Sequence, residues 1–529
     1  MRSLTKFFVL LVAFTVPTSI AISQSTEPGS KADGSTSVAA TKEEVSQLRG
    51  EVAAQRETIE ELKALVQRLV NQSPGNGATP VRDDSQAADG LHLMNAALVE
   101  PVQAAKPAAK DQKPTEKKPD IPVVAGWNGE HFFIKSTDGK FQIQPYGYFQ
   151  SDYRAYKGDG APSNTFVIRR ARFGFQGNIG THYDYAILLD AAATNGISLR
   201  DLWLNIKPNP AFIFQVGQYK EPFAQELLTG VTNIDFVERS LASLLYPSVA
   251  TAFRSPGATI RGDLAGGRVQ YWLGAFNGKG ILTNNTTNEP EIIGRLRFYP
   301  WKKKKDYVLQ GLAFGGAFGR GRSRGLSGEQ SFSALLPDAA YTFFPQFRIN
   351  GPIERYNAET TWTHGPWAVR AEYVQLDQFR RSVGSETSDN LGFVSLPGVV
   401  AKAGYGQVTY LLTGETRPEN GTPKVKHPFL GPEATSGTRA LGAWELAFRY
   451  DRIKAKETGI DLLSNPITPG FVPTFNNHTD QFTFGVNWYL NYLVKYQVNL
   501  SVDRLKDPSV TGQEPQTFFV VLQRLQFRF

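Results

Sequence analysis

The 529-residue chain contains no cysteine. A disulfide framework, thiolate zinc sites and iron–sulfur clusters are therefore excluded. Its histidines, His92, His131, His182, His364, His427 and His478, are scattered without metal-ligand spacing, so no metal site is expected. No segment reaches the roughly eighteen consecutive apolar residues of a membrane-crossing helix. The basic stretch 319–325 lacks the spacing of a phosphate-cradling P-loop. No Ser/His/Asp set emerges and no cofactor is implied, so the chain does not read as an enzyme.

What is present points elsewhere. Aromatic residues make up 12% of the chain and glycines number 49, which suits many strands joined by turns. The formal net charge is +8, a balance that suits nucleic acid, anionic lipid or small anions as partners. Phe7–Val16 is the one long apolar run. With Arg2 and Lys6 before it and small residues after it, residues 1–23 read as a secretory signal peptide. Export argues against nucleic acid.

Residues 41–70 carry the seam of a coiled coil. Val45, Leu48, Val52, Gln55, Ile59, Leu62, Val66 and Leu69 recur at alternating spacings of three and four. Thr41 and Glu44 form a capping box at the start. β-branched residues at one seam position with Leu at the other favour two strands, but Gln55 interrupts the pattern and leaves the number open. Residues 71–125, rich in Pro, Ala, Lys and Gln, read as a disordered linker.

From about residue 126 the pattern alternates with period two. In Leu441–Ile453, Trp444, Leu446, Phe448 and Tyr450 face one way, and Glu445, Arg449 and Asp451 the other. Sixteen such segments can be counted. Their apolar faces are rich in Phe, Tyr and Trp, and tight connections (178–182, 207–211, 491–492) alternate with long ones (219–256, 317–353, 380–400, 414–440, 454–477). That is the rhythm of short periplasmic turns and long extracellular loops. The chain stops on Phe529, with Phe527, Leu525 and Val521 on the same face. The expected fold is all-β: a transmembrane antiparallel β-barrel of about 16 strands over 126–529, with an N-terminal coiled-coil helix. The stretch 219–256 is several times longer than an ordinary hairpin loop. It mixes Phe223, Leu227, Leu228, Ile234, Phe236, Leu244 and Leu245 with Glu226, Asp235, Glu238 and Arg239, which predicts a folded insertion inside the wall.

The chain resembles the phosphate-selective porin O and P family over about 130–529. The resemblance rests on Ile168–Phe173 (IRRARF), Leu412–Glu415 (LTGE), Gly442–Leu446 (GAWEL) with Arg449–Asp451, Gly485–Tyr489 (GVNWY), and Glu238–Ser240 within the long stretch. It implies a passive, homotrimeric anion channel of the outer membrane of a Gram-negative-type bacterium, with outer-membrane lipid as its surroundings, small anions as permeants and the coiled coil in the periplasm. It also implies a third extracellular loop that folds into the pore, with Arg169, Arg170 and Arg239 at the constriction. Arg169 and Arg170 cannot both face inward on a regular strand, so a bulge is required.

An anion channel needs fixed positive charge along its path, and arginine suits oxyanions. Parity turns Arg170, Arg172, Arg268, Arg295, Arg297, Arg370 and Arg449 towards the lumen, and 319–325 adds Arg320, Arg322 and Arg324. About half of these are expected to pair with Asp201, Glu372, Glu445 or Asp451. Where the family carries a lysine after the glutamate matching Glu226, this chain has Leu227, and Gly230 and Val231 replace small hydroxyl residues. General anion permeation is therefore the safer expectation, with phosphate or polyphosphate as candidate solutes. The alternatives are a general porin for small solutes and an envelope-tethering barrel whose coiled coil contacts the cell wall.

Overall fold

The computed structural model describes residues 122–529 apart from 159, 194–195, 324–330, 336–341, 349, 385–392, 431–439, 459–473 and 507–515. The expected signal peptide and coiled coil and nearly all of the expected linker lie outside the described residues; the last of the linker range, 123–125, is strand rather than disordered chain.

A short hairpin, β1 (Val123–Trp127) and β2 (Phe132–Ser136), comes first. The wall begins with β3 (Phe141–Lys157), β4 (Thr165–Ile179), β5 (Tyr183–Asp190), β6 (Ser198–Asn209), β7 (Phe212–Lys220), β8 (Arg254–Leu264) and β9 (Val269–Phe276). It continues with β10 (Glu291–Phe298) and β11 (Ala313–Ser323). A separate hairpin follows, β12 (Ser331–Leu335) with β13 (Thr342–Arg348). The wall resumes with β14 (Gly351–His364), β15 (Trp367–Gly384), β16 (Phe393–Leu411), β17 (Ala443–Thr458), β18 (Thr474–Tyr489), β19 (Val494–Lys506) and β20 (Gln516–Arg528).

Every neighbouring pair is antiparallel, and β20 pairs with β3 from Phe519↔Lys157 to Arg528↔Tyr148. Eighteen strands belong to the main sheet. Two of them, β1 and β2, only lengthen the rim beside β3, and the other sixteen close into a barrel, which removes every free edge along their paired lengths. The C-terminal Phe529 exchanges backbone hydrogen bonds with Gly147, and its ring covers the spot where a side chain on Gly147 would sit.

The alternation read from the sequence is the barrel's inside and outside. Phe173, Phe175, Leu296, Phe314, Phe448, Phe484 and Leu500 are exposed on the outer face, as a lipid-facing band requires. Near the short-turn end Trp367 lies against Tyr410 at 4.4 Å, and Trp444 stacks on Trp488 at 5.1 Å.

The inside is not hollow. The segment 221–253 leaves β7, folds into the lumen and returns to β8. Phe223, Leu227, Val237, Leu241, Leu244, Leu245 and Tyr246 are buried there, against small and branched wall residues including Val374, Val399, Ala401, Ala403 and Ile453. Each fully buried Leu or Phe contributes about 1.5–3 kcal/mol, which gives this loop a core of its own.

Two sequence expectations are corrected. Of the sixteen alternating segments counted in the sequence, one is expected to begin near residue 307; that stretch is a turn region, and β11 starts at Ala313. Lys304 N–H there donates to the Trp301 carbonyl, Gln310 N–H to Tyr307 and Leu312 N–H to Leu309, and such local bonds favour a turn. The long connection 414–440 lies with the short turns, because it joins β16 to β17 at the end that also holds 365–366 and 490–493. Its Arg417 N–H donates to the Gly365 carbonyl, and Phe429 N–H to Leu490. Length therefore did not mark its side of the barrel.

Candidate functional site: the lumen and its two inward segments

The loop 221–253 is held by charge at both ends of one turn of helix, α1 (Gln225–Leu228). At its amino end, Gln225 N–H donates to Glu359 and Glu226 N–H donates to Glu372, at 2.9 and 2.7 Å. At its carboxyl end, Lys220 Nζ donates to the Leu227 and Thr229 carbonyls at 2.7 and 2.9 Å, and Arg239 Nη2 to Thr229 at 2.7 Å. Acceptors at the amino end and donors at the carbonyl end satisfy the backbone groups that one turn of helix leaves unpaired. Arg239, expected at the constriction, is thus buried against its own loop and lies over the Phe253 ring.

Arg169 and Arg170 both reach the inside, through a bulge. Gln150 faces Arg170 and Ser151 faces Ile168, which leaves Arg169 as the extra residue. Arg170 donates to Gln150 at 2.8 Å. Arg169 donates to Glu238 of the loop at 2.8 Å, where Arg154 at 2.7 Å and Arg524 at 3.3 Å converge. Burial alone would raise the Glu238 carboxyl, but the guanidiniums of Arg169, Arg154 and Arg524 outweigh it and hold it well below the usual range.

The β14–β19 side is a matched network. Arg295 and Arg297 share Glu359, and Arg297 also reaches Glu419. Arg449 pairs with Asp451 and donates to the Glu238 carbonyl. Asp235, near the lower bend of the loop, is gripped by Arg370 and Arg417. Arg417 also meets Glu445 at 3.0 Å. It belongs to a second inward segment, 412–430, which rises from the short-turn end. Asn420 there accepts from Gln225 at 2.7 Å, and Thr422 donates to Asn233 at 3.1 Å. Two segments from opposite ends therefore meet inside the barrel.

The β3–β8 side is different. A cavity of about 400 Å³ lies between the loop's 230–233 bend and the wall, lined by Tyr146, Tyr148, Arg172, Asp201, Lys220, Arg254, Tyr492 and Arg528. Four cations meet one carboxylate. A second cavity of about 320 Å³ shares Asp201, Lys220 and Arg254 and adds Trp203, Arg261 and Trp272. Arg254 binds Asp201 through two nitrogens at 2.8 and 2.9 Å. Arg172 donates to Asp190 and to the Tyr148 hydroxyl. Arg528 lies 3.7 Å over the Tyr492 ring, and its Nη2 is buried without a hydrogen-bond partner among the described residues.

Three expected lumen residues lie elsewhere. Arg268 is in the β8–β9 turn and donates to the Pro300 carbonyl. Arg320 and Arg322 are on the outer face of β11, paired with Glu354 and Glu289; the stretch read as a loop continues the strand, whose parity turns them out. Arg324 lies outside the described residues. Conversely, Lys220, Arg254, Arg417 and Arg528 were not singled out. Arg528 could have been, since Phe527 and Phe529 facing outward place it inside.

A model of the family described as phosphate-selective porin O and P matches residues 143–529. The chain belongs to that family. It is an outer-membrane porin of sixteen strands. Porin O of Pseudomonas aeruginosa is 24% identical over 422 residues, covering 75% of this chain and 90% of that protein. Among solved structures, the outer-membrane channel DcaP of Acinetobacter baumannii is 12% identical with a TM-score of 0.45, covering 75% of this chain and 99% of that one. OmpF of Salmonella typhi is 11% identical with a TM-score of 0.46, covering 74% and 99%. The strand register, not these distant likenesses, carries the fold described above.

Proposed function

We propose that this porin is a passive channel with anion preference, and that permeant ions pass along the β3–β8 side beside the loop. The observation that supports it is the excess of Arg172, Lys220, Arg254 and Arg528 around one cavity over Asp201 and the Asp190 that pairs Arg172, set against the matched network opposite. Low-dielectric walls focus the field of such fixed charges. Cations partly tied to neighbours offer weak, successive sites, so that an ion which enters also leaves. Phosphate gains no special site at α1: Leu227, where the family has lysine, is fully buried in the apolar cluster. General small anions are the proposed solutes, carried by a homotrimer as the family resemblance implies. Residues 41–70 are proposed to form a periplasmic coiled coil, three-stranded if it follows the barrels.

Reversal potentials in a salt gradient test this reading. Replacing Arg172 and Arg528 by Gln is expected to move the potential towards cation preference, and the shift should shrink at 1 M salt, where screening acts within about 3 Å. The same substitution at Arg295, paired on the far side, is expected to leave selectivity nearly unchanged. An unmoved potential in the Arg172/Arg528 variant would place the ion path elsewhere. A barrel without conductance would favour the tethering alternative.

A further inference from the structure

The outward face of the barrel near its long-loop rim is unevenly charged. On β11, β14 and β15 one rung runs Arg320, Glu354, Asp377, and Arg320 meets Glu354 at 3.3 Å. One rung further from the rim, the charges change character. Lys402 on β16 faces Lys454 on β17, Lys454 faces His478 on β18, and His478 faces Lys506 on β19. The next rung places Arg452, Asp480 and Arg504 side by side. Lys402, Lys454, Arg452 and Arg504 are exposed. Asp480, 3.5 Å from Arg452, is the one acid in these two rungs among the described residues.

Like charges directly opposite one another on neighbouring strands repel. Lys402 and Lys454 are opposed in this way, and Lys506 adds a third cation to the same rung beyond the His478 ring; counter-charge from outside the chain stabilises such a rung. Immediately towards the midplane the same face turns apolar: Tyr450 lies against Phe482 at 4.9 Å, and Phe448 and Leu500 are exposed beyond them. The cations thus border the lipid-facing band, at the level of headgroups rather than of bulk solvent.

We propose that the outer face of β16–β19 binds an outer-leaflet lipid whose headgroup carries two or more phosphates. The phosphates bridge Lys402, Lys454 and Lys506, which relieves the cross-strand repulsion, and the acyl chains lie along Phe448, Phe482 and Leu500. A zwitterionic headgroup brings no net counter-charge and leaves the rung unbalanced.

Native mass spectrometry of the full-length porin in detergent tests the proposal, with three added lipids: a glycolipid carrying two phosphates, its monophosphorylated analogue and a zwitterionic phospholipid. The wild type is expected to retain the bisphosphorylated lipid best. Each basic residue near an anionic headgroup contributes roughly fivefold, so K402Q/K454Q/K506Q is expected to lose on the order of a hundredfold in that retention. K302Q/K303Q/K304Q, in a turn at the other end, is expected to keep it. Equal retention of the three lipids, undiminished preference in the first variant, or loss in the second would each overturn the proposal. The single variants K402Q and K454Q give the same readout should the triple one fail to assemble.

Discussion

Among single residues, Glu238 and Glu221 carry opposite pH signatures. Glu238 gathers Arg154, Arg169 and Arg524, and its carboxyl is held low, so its stabilisation is present above the ordinary carboxylate pKa and is lost as pH falls through the depressed folded value. Glu238→Gln is expected to destabilise the loop by about 3–5 kcal/mol, the cost of breaking a buried pair, and to move the reversal potential further towards anions; thermal unfolding and bilayer recordings check the two. Glu221 is buried, and only one of its oxygens has a partner among the described residues, the Ser248 hydroxyl. Burial raises its carboxyl well above the usual range, and the charge of Glu291 adds to this. A raised folded pKa gives stability that is full in acid and lost as pH rises through that value. The melting temperature of Glu221→Gln is therefore expected to fall less than that of the wild type between neutral and alkaline pH.

At the scale of elements, the short helix α1 explains why a familiar substitution should fail. Leu227→Lys restores the family's lysine but puts an ammonium among Phe223, Leu241 and Tyr246 in the apolar cluster. It is expected to lower thermal stability by several kcal/mol and to leave phosphate block of chloride current weak. Block at micromolar phosphate in this variant would show that position 227 alone withholds specificity. Strands were legible because each wall residue meets either lipid or a filled lumen, which writes the period of two directly into Trp444–Tyr450 or Phe482–Trp488. The bulge at Arg169 was legible for the same reason: two adjacent arginines with one destination conflict with parity. The side on which 412–430 lies was not legible, because nothing local in it distinguishes one end of the barrel from the other. Nor was the role of Arg239. Its partners are backbone carbonyls of its own loop, and these have no sequence signature. Lys220 was read as part of a loop, whereas it closes β7 and reaches the same carbonyls.

For the whole molecule, the lumen is set by two segments that enter from opposite ends and lock at Asp235 and Arg417. Replacing 415–426 by a short Gly/Ser turn is expected to raise single-channel conductance severalfold and to strengthen anion preference, since it frees Arg297 from the Glu419 carboxylate and Arg370 from the Glu419 carbonyl; planar-bilayer recordings check both. The lock also orders events in time. Loop 221–253 emerges long before its partners: Val237 donates to Asn499, Lys495 holds the Thr232 and Ile234 carbonyls, and Arg524 reaches the Val237 carbonyl. The seam itself is closed by Gln150 with Gln526 and by Asp152 with Arg524. Contacts so distant along the chain form slowly, so the insertion is not fully seated until the last strand arrives. Sealing the wall and filling it are one late event, and a nascent chain halted before β20 is a sheet with its interior charges still in water.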